Sequence, residues 1–536
     1  MTGLLDIFAF LSVLLRALTL AFEALTVGGV VFRFAVAGPD PKAARALSKL
    51  TICCAGLLAA AQIGYVAANS AILMASTDLG WADVRGAAFS VSGALMVAGA
   101  AAVACFTLTR WARFASPLGC ALILCGAVMS SHSMARLEHR GVLAALTLTH
   151  RLAGAAWIGG MPFLVLSLRR EPDPAFAAAI AGRFSRLAMV SVAALLGAGL
   201  AMSLLYIGSV AALTGTAYGV MVLAKATLTG SAIALGAFNR KIAAALRAGV
   251  ARALPCLLTF AEVEVGLGVT ILMAAASLTS SPPAIDVVAD HVTPAEIAER
   301  MAPRWPLMET PRVSDLSPAT PLHFAADSVL PGSFVPGQQI QPQTPADIAW
   351  SEYNHHWAGL IVTAVGVLSL LARRMRWARH WPLAFLGLAV FLLIRADSEN
   401  WPLGPRGFWE SFQVAEVAQH RLFVLLIVAF AVFEWTVQTS RIRVERAGLI
   451  FPAVCAAGGA LLLTHSHSLG NIKEAFLVEL SHTPLAILAI MAGWSRWLEI
   501  RLSPDRGRFD IRGVARWIWP VCFILIGAIL LNYREA

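Results

Sequence analysis

Thr464–Pro484 reads THSHSLGNIKEAFLVELSHTP. It lies between two apolar runs, near 447–464 and 476–498, each long enough to cross a membrane, for which a helix needs ~20 residues. Within 18 residues it gathers His465, His467, Glu474, Glu479 and His482. Imidazole and carboxylate are metal-ligand chemistry. Glu479 and His482 stand at i and i+3, on one face of a helix. The stretch therefore reads as the lip of an outward-facing metal site carried by a helical membrane protein.

The rest of the chain has the same character. Its 536 residues are 58% hydrophobic and 13% charged, with a mean hydropathy of +0.73. That excludes a soluble globular chain. About 14 runs meet the criterion for a span: near 5–32, 50–76, 88–108, 115–131, 141–168, 184–206, 218–238 and 256–278, then 353–372, 378–395, 420–438, 447–464, 476–498 and 516–533. The expected fold is all-α: a polytopic integral membrane protein with about 14 transmembrane helices in two bundles, joined by an external Pro-rich linker. The expected boundaries are 1–280 for an eight-helix domain, 281–349 for a linker or cap, and 350–536 for a six-helix domain rich in His and Glu. The N-terminal run contains Asp6 and no basic flank, so it reads as a first span and not as a cleavable leader.

A net charge of +10 does not point to nucleic acid, because the charges recur in short loops between apolar runs. Seven alternate loops, beginning with Arg33, Lys42, Arg45 and Lys49, hold 27 of the 41 Lys and Arg. The positive-inside rule places these loops in the cytoplasm and both termini outside. Each of the eight cysteines lies in an apolar run and no CxxC occurs. They read as small buried hydrophobes, with a thiolate path for Cu(I) as the alternative. Residues 281–349 carry His291, Met301, Met308 and His323 and are read as solvated linker, or else as a flexible metal-collecting arm.

On this threading nearly every His falls on the outer face. His132 and His139 follow the fourth span, His355 and His356 open the ninth, and His420 opens the eleventh. His465, His467 and His482 flank the loop before the thirteenth. Two lie deeper: His150 about 13 Å into the fifth span and His482 about 9 Å into the thirteenth, at 1.5 Å per residue. Ionisable groups at such depth usually face a bundle interior or a water-filled path. His150, Trp157 and Met161 are spaced 7 and 4 apart and share a helix face; Met129 and His132 do too if their helix continues. Imidazole with thioether favours copper, above all Cu(I), although a Met alone is usually core packing. Glu23, in the inner part of the first span, is either functional or a partnered structural carboxylate. Lys225 and Glu264 on neighbouring antiparallel spans are expected to form an intramembrane ion pair, either fixing helix register or coupling protons to ion movement.

These motifs carry a resemblance. SHS at 131–133, then His150 with WIGG at 157–160, resembles the membrane domain of the CopD/PcoD copper-resistance family, which typically has Gly-His-Ala at the first place and His-Leu-x-x-x-x-x-Trp-x-Gly-Gly at the second. Ser131 and Ser133 replace the usual Gly and Ala, and the His is kept. Tyr218–Gly219 with Lys225, Asn239–Arg240, the EVGLG beginning at Glu264, and Pro282–Pro283 follow in the family's order, so the likeness covers about residues 5–283. It implies a bacterial inner-membrane protein that handles or moves copper ions, with periplasmic copper carriers as partners alongside membrane lipid. The later pattern QHRLFVLL…THSHSLGNIKE…ELSHTPLA resembles the extension of some longer CopD-type proteins. It is unlike the cytochrome oxidase assembly module fused to others, whose His-Met repeats are missing.

The second half has its own ligand set. Glu352 and His355 stand at i, i+3, Glu416 and His420 at i, i+4, and Glu479 and His482 at i, i+3. Each pair begins a helix entering from the outside, where a carboxylate is also ordinary helix-start polarity. With His356, His465 and His467 they would converge on one or two metals beneath an aromatic cover, DSENWPLGPRGFWES at 397–411. The leading expectation is a non-enzymatic copper transporter. Outer His and Glu would capture the ion, and His132, His150 and Met161 would line a route inward. One alternative is a membrane metalloenzyme, because Glu-x-x-His pairs in helical bundles also build di-metal carboxylate sites; a bis-His haem is a weaker version. The other is a docking protein for a periplasmic copper carrier, working through 281–349.

Overall fold

The computed structural model describes the whole chain except residues 1, 38–40, 78, 251–252, 317–343, 399, 414, 443–445, 465–471, 503–510 and 536, and leaves aside the side chains of 2–10, 41–43, 76, 413, 415–416, 419, 472, 474–475 and 478. Among the described residues the protein is all α-helical with short 3₁₀ and π turns and no β-strand; one isolated bridge joins Asn400 and Arg406. Twelve helices are long and apolar enough to cross a membrane, as a polytopic protein requires. Two further expected spans also form helices. Ala447–Leu462 is apolar but short, and Ile472–Arg501 carries Lys473, Glu474, Glu479 and Pro484 in its first half.

The chain separates into two compact units. The first is Phe8–Leu213 with Met221–Val288; the second is Thr214–Val220 with Ala289–Ala536 and the first seven residues. The first contains α1 (Thr2–Ala35, bar its start), α2 (Pro41–Ser76), α3 (Ala88–Phe106), α4 (Ala112–Met129), α5 (Arg140–Gly154), α6 (Met161–Arg170), α7 (Pro174–Ile207), most of α8 (Ala217–Arg247) and α9 (Ala253–Ser280). Lipid tails are as apolar as leucine, so helices in a bilayer associate by close packing of small residues. Gly99 on α3 and Gly119 on α4 show this: a Cβ on either would meet the other's carbonyl oxygen at 2.5 and 2.7 Å. Val27, Leu58, Met96, Val103 and Ile123 fill the space around that contact.

α5 and α6 are one span interrupted by a π turn, Ala155–Gly159, which holds most of the WIGG motif. All five of its residues are buried, and Trp157 is 3% exposed. Gly159 lies so close to α1 that a Cβ would run into the Ala24 carbonyl. The motif is thus a packing device that seats α5–α6 against α1. The wider turn also shifts the helix phase by roughly a quarter turn between His150 and Met161. The face expected to align His150, Trp157 and Met161 assumes an unbroken α-helix, and the π turn breaks it.

The second unit contains α10 (Pro345–Leu371), α11 (Ala384–Arg395), α12 (Ala415–Gln438), α13 (Ile450–Leu462), α14 (Ile472–Arg501) and α15 (Ile511–Leu531). Thr344 and Asp347 form a capping box that starts α10, each side chain taking the other's backbone N–H. Trp381, Phe385, Phe451, Trp519 and Phe523 make an aromatic core. Residues 289–316 pack against one end of this unit: Lys473 meets Glu296 at 2.6 Å, Arg300 donates to the Glu535 carbonyl at 2.6 Å, and the Leu307 N–H donates to His356 Nδ1 at 2.7 Å.

Candidate functional site

The first unit contains a polar cavity of about 420 Å³. It opens among the ends of α2, α4 and α9, where Asn69, Ser130, Ser131, His132, Thr279 and Ser280 stand. It follows α1 from Ser12 to Glu23, a depth of about 16 Å at 1.5 Å per residue. At its floor Glu23, 3% exposed, accepts from Arg151 of α5 at 2.7 Å. Glu23 is therefore a partnered carboxylate. Higher up, Arg16 donates to the Thr279 carbonyl and to the Tyr65 hydroxyl, both at 2.5 Å, tying α1 to α9 and α2.

His132 lines the same cavity. α4 stops at Met129, and a separate turn of helix, His132–Ala135, begins after Ser131. The helix therefore does not continue through Met129 and His132, and their shared face is lost. The Ser131 hydroxyl donates to the Val128 carbonyl at 2.6 Å, and the Ser131 and Ser133 hydroxyls are 2.6 Å apart, so the SHS motif is a hydrogen-bonded turn on either side of the imidazole. Among the described residues His132 Nε2 is buried with no hydrogen-bond partner. Burial pushes the imidazole below its usual range, and Arg16 pushes it further, against the opposing pull of Asp286 and Thr279. Its neutral form is favoured, and a neutral imidazole keeps one ring nitrogen able to act as a metal ligand.

The other first-half candidates are placed differently. His150 Nδ1 sits 3.1 Å from the Leu195 carbonyl on α7, with its ring against Gly199. Met161 is 1% exposed within the packed core. Lys225 and Glu264 do not pair. Glu264, 4% exposed, instead accepts from Asn239 Nδ2. The hairpin between α8 and α9 turns near residue 250, which sets Asn239 opposite Glu264 and leaves Lys225 about 14 residues, or about 21 Å, further along α8.

In the second unit one end gathers several expected residues around one that the sequence did not suggest. His355 stacks on Tyr533 with ring centroids 3.8 Å apart, and His482 stands edge-on 6.4 Å from His355 and 6.0 Å from Tyr533. Glu352 accepts from the Glu535 N–H at 3.3 Å, and the Tyr533 hydroxyl donates to Glu535 at 2.9 Å. Ser351 also donates to the Glu535 carboxylate. Burial, and next the Glu535 charge, raise the Tyr533 phenol well above its ordinary value, so it stays protonated. Glu479 lies three residues before His482 on α14, half-buried. The sequence signal for Tyr533 and Glu535 was a Tyr-Arg-Glu directly after the final span, which reads as an ordinary interfacial end.

His356 is a strap. Its Nδ1 accepts from the Leu307 N–H, so Nε2 carries the proton and donates to the Tyr533 carbonyl at 3.0 Å. Both nitrogens are engaged by backbone. His420 Nδ1 meets Asp397 at 2.9 Å, a carboxylate partner that the spacing of Glu416 and His420 did not anticipate. The neighbouring Arg421 donates to the carbonyls of Leu393 and Trp401 and so holds the 397–411 loop. His465, His467 and the Glu416 side chain lie outside the described residues. Among the described residues no three His, Cys, Asp or Glu side chains come together to hold a metal ion.

Residues 178–278, from α7 to α9, match the family described as copper resistance protein D, CopD. The copper transport protein CutJ of Bacillus subtilis (strain 168) is 31% identical over 150 residues, which are 27% of this chain and 26% of that relative. The likeness thus spans about a quarter of the curated relative's length. No solved structure matches the chain. The matched segment, the ordered motifs from the SHS turn to EVGLG, and the twelve membrane-length helices mark a multi-pass membrane protein that is similar to copper resistance protein D over residues 178–278.

Proposed function

We propose that this protein moves copper ions across the bacterial plasma membrane, and that the polar cavity of the first unit is where the metal enters. The observation that carries this reading is the buried, unpartnered Nε2 of His132 on the wall of a 420 Å³ cavity reaching toward mid-bundle. A neutral imidazole suits copper, and the family and the name of the Bacillus relative supply the metal. His150 is the next imidazole inward, reached after a ligand exchange. The excess of Lys and Arg in alternate loops supports a periplasmic cavity mouth and periplasmic termini.

The cluster of Glu352, His355 and His482, with Glu479 three residues before His482, is a second place where copper is held before or after passage. The segment 281–349 between the eight-helix and six-helix regions is suited to receiving a periplasmic copper carrier. Transport is favoured over di-metal enzymology by the match to copper resistance protein D and by the name of the Bacillus relative. Copper analysis of the purified protein tests the proposal. The parent should retain copper, and His132→Ala should lose the portion bound in the first unit. Equal copper in the two proteins would remove His132 from the path, and none in either would remove the function.

A further inference from the structure

We propose that the first-unit cavity is a carboxylate-binding site, and that copper enters it as a chelate with a small carboxylate-bearing ligand of the amino-acid class, not as a bare or hydrated cation. This rests on the copper reading above and names the form in which the substrate arrives.

The charge on the cavity wall points this way. Two guanidiniums, Arg16 and Arg151, face it with one carboxylate, Glu23. Glu23 is committed to Arg151 at 2.7 Å. Among the described residues Arg16 has no acidic partner, and its hydrogen bonds go to neutral acceptors, the Thr279 carbonyl and the Tyr65 hydroxyl. With His132 neutral, the wall carries one positive charge in excess, at a depth where charges are normally paired. A bare copper cation would meet that guanidinium in a low-dielectric setting and be repelled. A carboxylate beside the metal reverses the sign of the encounter, and a planar guanidinium is the side chain best matched to a carboxylate.

The second requirement is a donor for the metal itself, and His132 provides it within the same cavity. A guanidinium that grips an oxyanion and an imidazole that fills one coordination position together complement a copper–carboxylate chelate. The cavity size agrees. About 420 Å³ lies in the range of pockets that take small organic ligands, and it far exceeds a single ion with its few waters.

The test uses the full-length protein in lipid nanodiscs with three probes: copper(II) alone in a buffer free of carboxylates, radiolabelled glycine alone, and both together. Glycine should be retained only when copper is present. Arg16→Gln should lower glycine retention at least tenfold while leaving retention of copper alone no lower than in the parent, because the substitution removes the charge that repels a bare cation. Arg16→Lys, which keeps the charge and loses the fork, should fall between and serves as the folding control. Copper binding without glycine retention in the parent would overturn the proposal and leave the copper reading standing. So would an equal loss of both probes in Arg16→Gln, which would make Arg16 a helix tie only. Glycine retained without copper would also overturn it, because the site would then bind free carboxylates and no chelate. No copper binding in any arm would overturn both readings.

Discussion

Replacing Glu23 with Gln tests whether the cavity floor is a dry, paired site. The side chains of Arg151 and Glu23 are 17% and 4% exposed, and their charged atoms approach to 2.7 Å. With charge centres about 4 Å apart and an effective dielectric of about 20, the attraction is about 4 kcal/mol. Removing one member leaves the other charge buried without compensation, which costs roughly 3–5 kcal/mol. Glu23→Gln and Arg151→Gln should therefore each destabilise the first unit by about 3 kcal/mol or more. The double variant should cost less than the sum of the two, because it strands no charge. The assay is a double-mutant cycle on detergent-solubilised protein, followed by a cysteine-accessibility or intrinsic-fluorescence unfolding curve. Single substitutions costing under about 1 kcal/mol, the range of solvated surface pairs, would refute a buried pair and with it the picture of a closed floor.

Three more expectations concern packing and pH. Gly159→Ala should sharply reduce folded yield, because the new methyl group runs into the Ala24 backbone of α1, whereas Gly182→Ala, with open space around it, should be silent; size-exclusion profiles compare the two. His356→Ala should leave the Leu307 N–H and Tyr533 carbonyl unmatched at a cost of about 2 kcal/mol, read as roughly thirtyfold faster amide exchange around Leu307. The hydrogen bond from Lys473, and next those from Thr293, hold the Glu296 carboxyl down at about 2. Its folded pKa lies below the unfolded one, so its contribution is complete above the ordinary carboxylate range and fades as pH falls toward 2. Exchange protection of Pro294–Met301 should therefore survive at pH 4 in the parent and weaken there in Lys473→Ala.

Hydropathy and the placement of Lys and Arg made the helices legible, because a span must be apolar for its whole length whatever its neighbours are. Glu23 was legible as costly, though not as the partner of Arg151, since α1 and α5 meet only through tertiary packing. Residue spacing failed where backbone geometry departs from an ideal α-helix. The π turn at Ala155–Gly159 separates His150 from Met161, and the break after Met129 separates it from His132. Glu264 found Asn239 and not Lys225, because the position of the hairpin turn decides which levels of two antiparallel helices meet. Tyr533 and Glu535 were invisible as cluster members, since nothing in a terminal tail indicates that it folds back onto His355. The WIGG motif was legible as part of a family resemblance and not as packing, yet it brings α5–α6 against α1.

Copper flux into proteoliposomes tests the central proposal most directly, comparing the parent with His132→Ala and with a surface control, His139→Ala. Passage through the first-unit cavity predicts copper accumulation in the parent and the control and at least a tenfold loss in His132→Ala. Equal accumulation in all three, or none above protein-free vesicles in any, would contradict it.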